Sequence, residues 1–145
     1  MEDLLEYKIF VFDLDNTIIL KKVDILYASD YKSKIIKFLS LLKNKGKFIY
    51  IASHNREPDE VLYCHNIPLY LFDGIIGERK ILSKHINKIE EYTNKKDMIL
   101  EILSKHKNLS KEDLVFFDDI EYNIQQVESI NVRSILVDRY KGILI

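Results

Sequence analysis

Apolar residues recur along the chain in two rhythms. Five short runs rich in β-branched and aromatic residues, KIFVF (8–12), KFIYIA (47–52), LFDGIIG (71–77), DLVFF (113–117) and VRSILV (132–137), read as strands. Between them the spacing changes to threes and fours. SKIIKFLSLLKNKG (33–46) puts Ile35, Ile36, Leu39 and Leu42 on one stripe and ends at Gly46, predicting a helix closed by a glycine cap. Further helices are predicted over about 57–66, 96–107 and 121–130. Strand and helix alternate, which predicts an α/β fold: a three-layer, Rossmann-like domain with a mostly parallel five-stranded sheet and helices on both faces. The near-continuous apolar character of KIFVF and DLVFF suits central strands buried on both sides. The segment 78–94, ERKILSKHINKIEEYTN, is polar and weakly helical and fits neither rhythm. With no internal repeat, low-complexity tract or interdomain linker, residues 1–145 are expected to form a single domain.

Composition narrows the picture without changing it. A chain of 145 residues, 47% of them apolar, is long enough to bury roughly 70% of the surface its unfolded form exposes. Lys and Arg total 22 against 23 Asp and Glu, so a net charge of −1 supplies no global pull toward nucleic acid or anionic lipid. Any anion must be held locally. The single cysteine, Cys64, has no internal partner for a disulfide, which points to a reduced compartment. The acidic start, MEDLLEYK, lacks the basic and apolar regions of a secretory leader, and no apolar run approaches membrane-spanning length. A cytoplasmic protein without membrane contact is the expectation.

Candidate chemistry lies where strands end. In a parallel α/β sheet, ligands bind at the carboxyl ends of the strands. Asp13, Asp15 and Thr17 follow the first strand, Ser53 the second, and Asp118 and Asp119 the DLVFF strand. Four carboxylates are thus expected to converge, and such a cluster repels itself unless a cation or proton intervenes. All-oxygen ligands indicate a hard divalent ion, and a few carboxylates with water and substrate phosphate suit octahedral Mg²⁺ better than a fully protein-caged Ca²⁺.

DLDNT (13–17), Ser53 ending YIAS, Lys96 opening KDMILEILSKH and FFDDIEYN (116–123) resemble, in order, the four motifs of the haloacid dehalogenase superfamily of phosphohydrolases. The resemblance covers essentially the whole chain and is nearest to the small magnesium-dependent phosphatases that carry no large cap. It implies a phosphomonoester hydrolase in which Asp13 is the nucleophile and forms an aspartyl-phosphate, and Asp15 exchanges protons with the leaving group and the hydrolytic water. Thr17 and Ser53 would donate to phosphoryl oxygens, and Lys96 would balance the charge of Asp13 and phosphate. Mg²⁺ would be held by Asp119 and Asp118 with a carboxylate oxygen of Asp13 and the backbone carbonyl of Asp15. Asn16 stands where the superfamily often has glycine, and tolerates the positive φ of a tight turn. Asn123 replaces a frequent aspartate and is expected behind the metal ligands, orienting Asp119 or holding a water.

Lys95 competes with Lys96 for the inward position; the distance from Lys96 to FFDD fits the resemblance to the superfamily better. His54 and Arg56 could contact substrate or merely end the strand and face solvent. The stretch from the first motif to Ser53 is too short for a large cap, and 78–94 would at most supply a small flap. An open site admits bulky phosphomonoesters, including phosphoproteins, as well as sugar phosphates, in a monomer or homodimer. Two other readings are a polynucleotide end-phosphatase, disfavoured by the neutral charge, and a non-enzymatic domain. The latter would be either a catalytically silent fold or a phosphorylatable receiver. A receiver places its acidic pair on the first strand and its phospho-accepting aspartate later, the reverse of the order here.

Overall fold

Side chains alternate across a strand with a period of two, so a strand buried on both faces feeds two separate cores. The computed structural model, which describes residues 2–78, 81–83, 87–88 and 94–145, shows this in β1 (Ile9–Phe12), where all four residues are buried. Phe10 and Phe12 join one core with Ile49, Ile51, Val115 and Phe117. Ile9 and Val11 join the other with Tyr50, Ala52, Leu114 and Phe116.

The remaining elements are α1 (Ile25–Asn44), β2 (Phe48–Ala52), α2 (Pro58–Cys64), β3 (Gly74–Ile76), β4 (Ile81–Ser83), β5 (Asn87–Lys88), α3 (Lys95–Ser104), β6 (Leu114–Asp118), α4 (Glu121–Glu128) and β7 (Arg133–Leu136). The sheet runs β5-β4-β3-β2-β1-β6-β7. The five strands expected from sequence pair in parallel, with β1 at their centre. β4 and β5 extend the sheet antiparallel beyond β3, so part of the segment read as weakly helical is strand; the rest of 78–94 lies mostly outside the described residues. Helix α1 packs Tyr31, Ile35, Phe38, Leu39 and Leu42 on the first core. Helices α3 and α4 cover the other face through Met98, Ile99, Ile102, Ile124 and Val127. Among the described residues no helix is long and apolar enough to cross a membrane.

Helix α1 begins at Ile25 rather than near residue 33. The Asp24 side chain caps it by accepting the Tyr27 N–H at 2.8 Å. Its first turns carry exposed Ile25 and Leu26, so no buried stripe marks them in the sequence. At the far end Gly46 takes φ +76°, as its capping role requires.

The C-terminal segment is anchored to the loop after β1. The buried Tyr31 hydroxyl donates to the Thr17 carbonyl and accepts the Ile143 N–H at 2.9 Å. Burial pushes this phenol above its ordinary pKa. Gly142 lies directly against the Tyr31 ring at φ +79°, where an added Cβ would overlap ring atoms. Gly142→Ala should therefore cost more than about 1 kcal/mol, through both backbone and overlap. Urea denaturation checks this, and an unchanged midpoint would contradict it.

Candidate active site

Because β1 and β6 pair with Phe12 opposite Phe117, the next residues, Asp13 and Asp118, emerge side by side. Asp13 keeps the ladder going by donating its N–H to the Phe117 carbonyl at 2.8 Å. The preceding residues Phe12 and Phe117 stack on each other in the first core with ring centroids 4.9 Å apart, which holds the two strand ends together. Carboxylate oxygens of Asp13, Asp118 and Asp119 lie within 4.8 Å of one another, and all three residues are buried.

A lysine fills the centre of this cluster, and it is Lys95. Its side chain is fully buried, and its ammonium donates to Asp13 Oδ1 at 2.7 Å, Asp118 Oδ2 at 2.8 Å and the Ala52 carbonyl at 2.8 Å. Three protons meet three acceptors, so the ammonium has no donor to spare. The expectation for Lys96 is corrected: α3 starts at Lys95, with the Asn94 side chain capping it by accepting the Asp97 N–H, and the buried face of the helix is 95, 98, 99 and 102. Lys96 lies off that face and is only half-buried.

Asp118 is bound on both oxygens. Its Oδ1 accepts the Ile120 N–H at 2.9 Å, and its Oδ2 accepts Lys95 and the Asn123 amide at 3.1 Å. Asn123 thus supports Asp118, where the sequence alone predicts a residue that orients Asp119 or holds a water. Asp119 differs from its neighbour. Its Oδ1 is buried with no hydrogen-bond donor among the described residues, and its Oδ2 lies 3.6 Å from the Arg139 guanidinium. Arg139, on the loop after β7, carried no signal in the sequence.

The loop 14–19 folds tightly over the end of β1. Asn16 takes φ +62°, and the Ile18 and Ile19 N–H groups both donate to the Leu14 carbonyl. This turn brings the Thr17 hydroxyl to 3.4 Å from Asp13 Oδ2. Asp15 lies outside the three-carboxylate cluster; its Oδ1 pairs with the Lys21 ammonium at 2.9 Å, with about a third of the side chain exposed. Ser53 is buried at the end of β2, its Oγ accepting the Asn55 N–H at 3.0 Å. His54, beside it, is near the Lys95 and Asp118 charges and hydrogen-bonds Asn123; burial, then Lys95, push its pKa below the usual value. Arg56 is exposed.

Electrostatics of the site are dominated by desolvation. Burial raises the Asp13 pKa to about 7, with Lys95 opposing the rise and Asp118 adding to it. Burial likewise raises Asp119. Burial opposes the charge on Lys95, but Asp13 and Asp118 outweigh it and hold the pKa above normal. Three carboxylates face one buried ammonium, with Arg139 at the rim. An orphaned buried oxygen on Asp119 beside a carboxylate of Asp13 is what a hard divalent cation would satisfy, so these residues fit such an ion.

A model of the acid phosphatase family matches residues 29–144. The chain belongs to the acid phosphatase family. The matched span holds Ser53, Lys95 and Asp118 to Asn123, and begins after Asp13 to Thr17. This phosphatase also has the haloacid dehalogenase-like fold. It is similar to a haloacid dehalogenase-like family hydrolase from Streptococcus pneumoniae, at 15% identity and a TM-score of 0.65 over 94% of this chain and 87% of that one. It is similar too to the N-terminal part of a Bacteroides fragilis protein that contains a phosphatase domain and was crystallised in complex with Mg, at 20% identity and a TM-score of 0.62 over 94% of this chain and 37% of that one. A comparison with curated proteins found no match. The family membership makes the chain a phosphatase, and its fold is haloacid dehalogenase-like.

Two outcomes follow for the phosphatase. Lys95→Met leaves two buried carboxylates without their partner and should cost about 3–5 kcal/mol of stability, with turnover falling at least about a hundredfold. Lys96→Met should change stability by no more than about 0.5 kcal/mol; equal losses in the two variants would contradict the assignment. In chelator, the folded chain binds the Asp13 proton more tightly than the unfolded chain does, between the ordinary carboxylate pKa of 3.8 and about 7. The stability contributed by this group is complete below the lower value and is lost as pH rises through the upper one. Urea midpoints of the chelated protein should fall across that window, and a rise would contradict the shift.

Proposed function

We propose that the phosphatase hydrolyses phosphomonoesters through an aspartyl-phosphate on Asp13 and depends on Mg²⁺. The observation that carries this reading is the pairing of a saturated lysine with an unsatisfied carboxylate. Lys95 spends every donor on protein acceptors, while Asp119 Oδ1 is buried without one. The ammonium therefore orients Asp13 and offsets part of its charge, and the remaining negative charge calls for a cation. Asp13 and Asp119 would hold it, with Asp118 bracing Lys95 and Asn123 behind them and the Asp15 carbonyl as a further oxygen. A bound Mg²⁺ would supply charge neutralisation between carboxylate and phosphate.

The residues of the chain divide the chemistry. Asp13 attacks phosphorus as the ester P–O bond breaks, and Asp15 gives its proton to the departing oxygen. Water then attacks the phosphorus of the aspartyl-phosphate, losing its proton to Asp15 and freeing Asp13. Asp15 is two residues beyond Asp13 and partly exposed, and the Lys21 ammonium 2.9 Å from its Oδ1 steadies the carboxylate once it has given up its proton. Thr17 and Ser53 donate hydroxyls to phosphoryl oxygens from the flanking strand ends. Residues 14–24 hold only the tight turn and the approach to α1, so no large cap stands on this side. Esters with bulky leaving groups, phosphorylated protein side chains among them, are the substrate class this geometry favours, with sugar phosphates next.

Asp13→Asn should abolish hydrolysis of a phosphomonoester panel while leaving the melting temperature at or above that of the parent in chelator, because a buried charge is removed. Acid-quenched enzyme should carry labelled phosphate on Asp13, and EDTA should inactivate with recovery on adding Mg²⁺. Activity indifferent to chelation, or hydrolysis surviving in Asp13→Asn, would overturn the proposal.

A further inference from the structure

At the opposite end of the sheet from Asp13 lies a recess of about 440 Å³ lined by Lys8, Lys45, Lys47, Lys105 and Lys107. Lys8 precedes β1, and five residues of extended chain put it about 16 Å from the catalytic aspartate. Five lysines on one rim are out of proportion for a chain with a net charge of −1. Two ordinary explanations fall short. Lys45 and Lys105 cap the C-termini of α1 and α3, where a cation complements the helix dipole, but two such termini carry only about −1 together. None of the five ammonium groups forms an ion pair with a described carboxylate, and the acidic charge that acts on the lining residue His106 comes from Asp73 alone. Lys47 alone is committed elsewhere, donating to the Leu5 carbonyl.

The same recess presents aromatic surface. Phe48, 37% exposed at the start of β2, packs on His106 with centroids 4.5 Å apart. His106 is fixed in turn by its Nε2, 2.7 Å from the Tyr50 hydroxyl. A planar group laid on Phe48 would have its charged substituents among the lysines. The volume is that of a small-molecule site and not of a track along a nucleic acid strand.

From the lysines without an ion-pair partner among the described residues, the fixed ring pair and the size of the recess, we propose that this second site binds a nucleoside polyphosphate. The phosphates lie on Lys8, Lys45, Lys105 and Lys107, and the base stacks on Phe48. The site is separate from the hydrolytic centre and does not depend on its mechanism.

Calorimetric titration of the full chain with the β,γ-imido analogue of ATP tests this, with orthovanadate filling the hydrolytic site. Saturable binding should persist in orthovanadate, with inorganic tripolyphosphate weaker and adenosine inert. Affinity should fall at least about tenfold in the double variant Lys45→Glu, Lys107→Glu, which removes charge-assisted contacts, and measurably in Phe48→Ala. Hydrolysis of a small phosphomonoester by the charge-reversed chain should remain at the parent level, showing that it is folded. No saturable binding, displacement by orthovanadate, or equal affinity in the charge-reversed chain would overturn the proposal. Tripolyphosphate binding as tightly as the nucleotide would remove the base from it, and a short oligonucleotide binding more tightly than the nucleotide would overturn the small-molecule reading.

Discussion

A lysine ammonium with no contact to water is costly unless every proton it carries is accepted and its charge is answered nearby. Lys95 meets both conditions by reaching Asp13 at the end of β1, the carbonyl of Ala52 at the end of β2 and Asp118 at the end of β6. One side chain from α3 thus ties together the ends of three adjacent strands. The tie requires α3 to dock in one register, which Met98, Ile99 and Ile102 enforce on the underlying face. Removing the ammonium would leave two desolvated carboxylates, so the helix, the sheet and the site are held by the same contact.

The arrangement is also unbalanced, and the imbalance is what makes it chemical. Desolvation raises Asp13 and Asp119, and a single interior ammonium cannot hold three carboxylates ionised together. A structural ion pair would have been closed off with further donors, as Asp118 is by the Ile120 N–H and Asn123. Asp119 is left open on its buried oxygen. The stacked Phe12 and Phe117 at the ends of β1 and β6 and the Tyr31 link from Thr17 to the C-terminal segment fix the surroundings, so this oxygen is presented in one place.

Much of this was legible in the sequence for simple reasons. Strands buried on both faces are apolar without interruption, which marks β1 and β6 and places the aspartates that follow them. Positive φ at Asn16 follows from its place in a tight turn. Lys95 was legible too, though distance in sequence pointed to Lys96: Ile102 lies three and four residues beyond Ile99 and Met98, and the same steps back, four from Ile99 and three from Met98, land on Lys95. The start of α1 left no such trace, because Ile25 and Leu26 are apolar yet exposed. β4 and β5 hold only three and two residues, and runs that short have no periodicity to read. Arg139 and the Asn123 bond to Asp118 depend on loop geometry, which residue types alone do not determine.

The central claim is that the buried carboxylates around Lys95 are a cation site completed by Asp119. Calorimetric titration of the chelated protein with MgCl₂, beside the same titration of Asp119→Asn, addresses it directly. One Mg²⁺ should bind per chain in the parent, and binding should be lost or severely weakened in the variant. No binding in the folded parent, or the same affinity in both proteins, would contradict it.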